Sequence, residues 1–281
     1  MARKIRDTTI FKACHWPVGT RTRRRTLLRV AIVVLIIPLV LQWLLAYVVG
    51  RDARLLPPEL LESKNLLIVT AHPDDECLFF SPTILGILDR NHAIRGGLLV
   101  MSTGITPSRC EALDHPSLQD NPKVWWDTDL IQSIVRQYVE KWEVDAIITF
   151  DEGGVSGHVN HRAVSAAVSE YVMNDGDAPP AYKLVTTAVL RKYTFLFDLP
   201  LTALSFSWRI ISATFYPSGK TTPDVSAKAL IANTWHRYLM TRSAFASHDS
   251  QYSWDRHLYM ILSRYVWFND LKRMPAKEEA S

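Results

Sequence analysis

Two short stretches of the chain hold side chains that could bind a cation and move protons. One is Thr70-Ala71-His72-Pro73-Asp74-Asp75-Glu76; the other runs from Asp151-Glu152-Gly153-Gly154 through Gly157-His158-Val159-Asn160-His161. Adjacent carboxylates repel one another unless they meet solvent or a cation. Histidine nitrogen and carboxylate oxygen are both good zinc ligands, and a catalytic zinc site uses three protein ligands with a fourth position left for water. His72, Asp75 and His161 would supply three such ligands. Asp74, without a ligand role beside them, could take a proton from that water as general base. Each stretch has a blander reading by itself. An acidic run suits the N-terminus of a helix, and an H-x-x-H pair is commonly surface or core histidine. His15, His92, His115, His236 and His257 lack such a context and read as structural or solvent-exposed.

What raises the paired motifs above those readings is the pattern before them. Leu66–Ala71 (LLIVTA) and Ala146–Phe150 (AIITF) are short apolar runs of the kind found in buried parallel strands. Each motif therefore follows a strand end, where ligands bind in open α/β sheets. Gly153, Gly154 and Gly157 permit the tight backbone that a loop-to-helix junction needs. Further along, Glu76–Arg90 has helical spacing, Gly97–Ser102 is strand-like, Asp127–Trp142 is an amphipathic helix, His161–Met173 a helix and Leu184–Leu190 a strand. This alternation predicts an α/β fold, a Rossmann-like three-layer sandwich with a mostly parallel sheet.

Residues 30–50 (VAIVVLIIPLVLQWLLAYVVG) carry no charge, and about twenty apolar residues suffice for a transmembrane helix. Trp43 and Tyr47 suit the far interface, and spanning helices tolerate a residue such as Pro38. A buried core helix and a cleaved signal are the other readings. The run is long for a signal, and no A-x-A-like site follows closely. The net charge is only +4, and nine basic side chains from Arg3 to Arg29 precede the span, so the tail points to a membrane and not to nucleic acid. With 48% hydrophobic residues the chain can bury a sizeable core. Cys14, Cys77 and Cys110 form neither a metal spacing nor a disulfide framework, which fits a reducing compartment. The expected organisation is a basic tail (1–29), a transmembrane helix (30–50), a linker (51–64), one catalytic domain (65–272) and a C-terminal tail (273–281). A second apolar stretch, 195–216, is interrupted by Asp198, Pro200 and Arg209. It reads as lying in or against the membrane interface, with ordinary core as the other reading.

AHPDDE followed by DEGGVSGHVNHRAV resembles the zinc de-N-acetylases that act on N-acetylglucosamine conjugates. DNPKVWW (120–126), VLRKYTFLFDLPLTAL (189–204) and HDSQYSWDRHLYMILSRY (248–265) extend the resemblance from about Leu66 to Phe268. It implies that His72, Asp75 and His161 bind Zn2+, although such a ligand set also accepts other divalent ions. It implies Asp74 as general base, with His158 stabilising the oxyanion or protonating the leaving amine. The implied substrate is a lipid-linked sugar, N-acetylglucosaminyl-phosphatidylinositol. Hydrolysis would give the glucosaminyl lipid and acetate, the second step of glycosylphosphatidylinositol anchor synthesis. The implied location is the endoplasmic reticulum membrane, with a single span and the domain on the cytoplasmic face. Basic residues counted near the span favour the opposite orientation. The free cysteines agree with the family, and that orientation is adopted here. One departure stands out. The family continues from its second strand into S-x-G-N-x-x-G-L-G-x-x-R-x-x-E-L, whereas here Ser102-Thr103-Gly104 runs into Ile105-Thr106-Pro107. A substrate-binding arginine and the following helix, on the order of twenty-five residues, are missing by the length of one βα unit. Two rivals follow: a de-N-acetylase of another N-acetylglucosamine conjugate, and a form made inactive by this gap.

Overall fold

The computed structural model describes residues 21–50, 52–89, 94–102, 110–113, 115–216, 227–248 and 253–277. Within them seven strands form one sheet: β1 (Asn65–Thr70), β2 (Arg95–Val100), β3 (Cys110–Ala112), β4 (Ala146–Phe150), β5 (Ala181–Leu184), β6 (Lys228–Ala232) and β7 (Phe268–Arg273). Their order is β3-β2-β1-β4-β5-β7-β6. The first five pair in parallel, while β7 lies antiparallel to β5 and to β6. β1 and β4 are buried at every position, as central strands covered on both faces must be. The chain moves outward from β1 through β2 and β3, then returns to β4 on the other side of β1. That reversal makes a switch point between β1 and β4, and both motifs leave the sheet there.

The helices are α1 (Arg21–Trp43), α2 (Pro58–Leu61), α3 (Ser81–Leu88), α4 (Thr128–Trp142), α5 (Gly154–Gly157) and α6 (Val159–Asn174). They continue as α7 (Val189–Lys192), α8 (Leu199–Ala203), α9 (Ser207–Phe215), α10 (Trp235–Phe245) and α11 (Trp254–Leu262). Two glycines in β2 show that helices cover both faces. Successive strand residues point to opposite faces; a Cβ on Gly96 would meet Leu88 of α3, and one on Gly97 would meet Trp142 of α4. α4 starts at Asp127, whose carboxylate caps the N–H groups of Asp129 and Leu130, and it buries Ile131, Val135, Tyr138, Val139 and Trp142. This apolar stripe is what the sequence periodicity promised. The three-layer α/β sandwich is thus the observed architecture.

Two units are distinguished, Met1–Ile36 and Ile37–Ser281. Arg23–Val48 is a helix long and apolar enough to cross a membrane. In the second unit, Leu45 and Val49 join the hydrophobic core. There Gln42 donates to the Asn233 carbonyl, and the Tyr47 hydroxyl accepts the Trp235 N–H at 2.9 Å.

Two expectations need correction. The stretch 51–64, expected as a linker, packs: Leu55, Leu56 and Leu60 are fully buried, and the Leu55 carbonyl accepts the Leu230 N–H. The strand expected at 184–190 ends at Leu184, and Val189–Lys192 is helical. Its backbone goes elsewhere, because Thr186 N–H donates to Asp151 and Thr187 N–H to the Tyr265 hydroxyl. The stretch 195–216, expected in or against the membrane interface, forms short helices that are partly buried. It buries Leu196, Leu199, Phe206 and Ile210 but exposes Leu204, Trp208 and Phe215. Arg264, fully buried, ties this stretch to the sheet through Asp198 at 2.6 Å and through Asp270. The chain between β2 and β3 spans 101–109, of which 103–109 lie outside the described residues. Parallel crossovers usually need a dozen or more residues, commonly with a helix.

Candidate metal centre

Where β1 ends, the chain turns back on itself and the Asp75 carboxylate holds the turn. Its Oδ2 accepts the N–H groups of Ala71 at 3.1 Å and His72 at 2.8 Å. Asp74 sits at φ 100°, a strained conformation for a residue with a Cβ that costs about 1–3 kcal/mol. Its carbonyl accepts the N–H groups of Cys77 and Leu78, so the helical turn leading to α3 begins directly behind it. The Asp74 carboxyl faces the crevice, and its pKa is pushed up to about 7, by burial first and then by the charge of Asp75.

Where β4 ends, Asp151 does the comparable work. It accepts the N–H groups of Gly153 at 3.0 Å, Gly154 at 3.1 Å and Thr186 at 2.6 Å. Gly154 has φ +56°, and a Cβ there would lie 2.9 Å from the Cβ of His161. Only glycine lets this loop approach the histidine so closely. Val155 follows at φ 59°, an outlier for a β-branched residue. His158 caps α6, its Nδ1 accepting the Asn160 N–H at 3.3 Å. The neutral ring therefore carries its proton on Nε2. Burial and the neighbouring His161 both lower its pKa.

The two strand ends bring His72, Asp75 and His161 together. His72 Nδ1 lies 3.2 Å from His161 Nε2. Asp75 Oδ1 is 3.4 Å from His161 Nε2, and Asp75 Oδ2 is 3.7 Å from His72 Nδ1. The second nitrogen of each ring fixes the tautomer. His161 Nδ1 donates to the Gly154 carbonyl at 3.0 Å. His72 Nε2 faces Asp120 Oδ1 at 3.2 Å and the side-chain oxygen of Asn160 at 3.3 Å. The Asn160 amide group then donates to the carbonyls of Asn121 and Val124. Two lone pairs and a carboxylate thus converge on one point. Bonds of about 2.0–2.1 Å to a tetrahedral zinc would place ligand atoms about 3.3 Å apart, so these residues fit such an ion. His158 also has a ring nitrogen within 4.8 Å of those of His72 and His161. The proton on its Nε2 suits it better to donating than to ligation. His161 is stacked on Phe150, with centroids 4.2 Å apart. Burial lowers the His72 pKa. It opposes ionisation of Asp75, but the two imidazoles hold that carboxyl below its usual range.

Above these groups opens a cavity of about 1060 Å³. Leu98, Val100 and Ala112, from β2 and β3, contribute apolar lining. Two residues went unnoticed in the sequence. Asp120, in the DNPKVWW stretch, faces both His72 and, at 3.8 Å, His158. His248 Nε2 meets Glu76 Oε1 at 3.1 Å, and that hydrogen bond raises its pKa. Their motifs were visible, but nothing in the spacing brought them to the strand ends. His115, His236 and His257 do not line the cavity; His15 and His92 lie outside the described residues.

An open α/β sheet whose switch point carries a metal-capable cluster of histidines and carboxylates is the class that fold and site define. Comparison with known proteins narrows it. Residues 97–172 match the family described as PIG-L: GlcNAc-PI de-N-acetylase. N-acetylglucosaminyl-phosphatidylinositol de-N-acetylase of Bos taurus is 34% identical over 258 residues, covering 83% of this chain and 94% of that protein. The probable enzyme of the same name from Dictyostelium discoideum is 27% identical, over 75% of this chain and 93% of its own. Among solved structures, N,N'-diacetylchitobiose deacetylase from Pyrococcus horikoshii aligns with a TM-score of 0.46 at 14% identity, covering 83% of this chain and 91% of that one. The chain belongs to the PIG-L, GlcNAc-PI de-N-acetylase family.

Proposed function

We propose that the chain hydrolyses the acetamide of N-acetylglucosaminyl-phosphatidylinositol, yielding glucosaminyl-phosphatidylinositol and acetate in glycosylphosphatidylinositol anchor synthesis. The observation that carries this reading is the convergence of His72 Nδ1, His161 Nε2 and the Asp75 carboxylate beside the strained Asp74. His72, Asp75 and His161 would hold a divalent cation, Zn2+ by the chemistry of the donors, which when bound supplies Lewis acidity to carbonyl and water. Asp74 accepts the proton of the attacking water. His158, with Nε2–H directed into the crevice, donates to the oxyanion that develops on the amide oxygen. As the C–N bond breaks, a proton reaches the departing amine, and acetate is released. Asp120 holds the imidazole of His72 in the tautomer that presents Nδ1.

The lipid-linked substrate suits a membrane-anchored chain. In this reading the apolar helix from residue 30 up to the core residue Leu45 spans the endoplasmic reticulum membrane after the basic tail, the domain that follows faces the cytoplasm, and exposed Leu204, Trp208 and Phe215 rest in the interface. The short connection between β2, which ends at Val100, and β3, which starts at Cys110, favours a second reading, in which the chain binds metal but turns over poorly. Acetate release from N-acetylglucosaminyl-phosphatidylinositol by the purified chain tests both. Turnover that stops with chelator and returns with zinc is expected. Zinc bound at full occupancy without turnover would select the inactive reading, and faster turnover of a soluble N-acetylglucosamine conjugate would select another substrate.

A further inference from the structure

Lys192 and Arg256 are the only lysine and arginine among the described residues that line the cavity. Lys192, at the end of α7, is 6% exposed. Its ammonium forms no ion pair and no hydrogen bond among the described residues, yet three aromatic rings frame it: Tyr193 at 5.4 Å and Phe79 and Tyr259 at 5.6 Å. Arg256, on α11, likewise has no ion-pair partner among the described residues. Carboxylates are not lacking in this cavity. Asp74, Asp75 and Glu76 line it too, but none pairs with either cation. The Phe79 ring is near both the metal cluster and Lys192, with its centroid 5.7 Å from that of His161 and 5.6 Å from Lys192 Nζ.

A buried ammonium without a counter-ion is costly, and nothing in the fold of the domain requires one at this place. Burial, followed by the charge of Arg256, drops the Lys192 pKa to about 8. An anion seated between the two cations would remove that penalty. The flanking residues indicate which anion. Leu190 and Trp254, two positions before Lys192 and Arg256, are 85% and 77% exposed. Both cations line the cavity of the proposed amide-cleaving site, and each has an exposed apolar neighbour along the chain. A molecule that carries an acetamide, an anion and hydrocarbon suits that combination of chemistries.

Taking the proposed substrate as its starting point, we propose that Lys192 and Arg256 form a subsite for the phosphodiester of the lipid-linked sugar. The pair is carried by α7 and α11, far along the chain from the segment after Gly104. It discriminates phosphodiester-bearing conjugates from uncharged ones by supplying positive charge in a partly water-excluded setting.

The test uses the full chain in detergent, loaded with zinc. Two substrates are compared, N-acetylglucosaminyl-phosphatidylinositol and N-acetylglucosaminyl-inositol, which lacks the phosphate. The ratio of their kcat/KM values should fall about tenfold or more in Lys192→Met and stay near that of the wild type in Lys192→Arg. An equal loss on both substrates in Lys192→Met, with an unchanged thermal midpoint, would overturn the subsite. A binding arm does not depend on turnover. Isothermal titration with glycerophosphoinositol should give an affinity that weakens about tenfold in Lys192→Met. Inorganic phosphate binding more tightly than glycerophosphoinositol would overturn the assignment to the lipid headgroup. Should the wild type bind glycerophosphoinositol through Lys192 yet release no acetate from either substrate, the proposed reaction fails and the subsite stands.

Discussion

Asp74 and Asp75 are chemically identical neighbours with opposite environments, and the backbone separates them. Asp75 turns inward, accepts two backbone N–H groups and meets two imidazoles. Asp74, held at positive φ, keeps its carboxyl free beside the same point. Different consequences follow for their variants. His72→Ala, Asp75→Ala and His161→Ala should each lower bound zinc, as read by elemental analysis of the purified proteins. Full occupancy in all three would remove the assigned ligand set. Asp74→Asn leaves the ligands whole and removes only the base, so near-normal zinc and a rate lowered roughly a hundredfold are expected. Normal turnover in that variant would exclude Asp74 as base. Gly154 offers a test of the support behind the site. Gly154→Ala puts a Cβ 2.9 Å from that of His161 in a left-handed conformation, so zinc affinity should weaken although no ligand is changed. Affinity equal to that of the wild type, measured by competition with a chelator, would show that the loop can shift without moving His161.

At the scale of elements, the strand ends were legible and the elements that cover them were not. β1 and β4 are short, largely apolar runs, so HPDDE and the H-x-x-H pair could each be placed at a strand end from sequence alone, while the pairing of β1 with β4 came from the structure. Asp120, His248, Lys192 and Arg256 lie on loops and short helices positioned by tertiary contacts, and no periodicity reveals those. The misplaced strand at 184–190 has the same origin: Thr186 and Thr187 are β-formers whose backbone N–H groups are taken by side chains. The link holding that region is Arg264 with Asp198 and Asp270. Removing one partner of a buried ion pair costs about 3–5 kcal/mol. Asp198→Ala should therefore destabilise the domain by about that amount in denaturant unfolding. A change near zero would mean that the segment carrying Lys192 is held by packing alone. The gap after Gly104 belongs to this scale too. Restoring a loop and helix there should cover Leu98, Val100 and Ala112, raise the thermal midpoint and speed acetate release. Equal activity in both forms would show that the segment is dispensable.

For the whole molecule, Arg23–Val48 is a helix long and apolar enough to cross a membrane, and 195–216 exposes apolar side chains that the proposed function rests against one. The sequence suggested an anchor ending cleanly at residue 50, but Leu45 and Val49 are core residues. A truncation that removes 1–50 would damage the domain as well as the anchor; one that removes 1–36 spares both leucine and valine. The shorter truncation should leave membranes on a carbonate wash, since the remaining apolar helices rest on a bilayer without crossing it. Retention of all the protein in the membrane pellet would mean that 195–216 spans.

The proposed reaction is hydrolysis of an acetamide in this crevice with the help of a cation held by His72, Asp75 and His161. Zinc titration of the chelator-stripped full chain, followed by acetate release from N-acetylglucosaminyl-phosphatidylinositol, tests it most directly. The expected result is no release from the stripped protein, and a rate that climbs with added zinc until about one ion is bound per chain, as a single three-ligand site requires. Undiminished acetate release from the stripped protein would contradict the account.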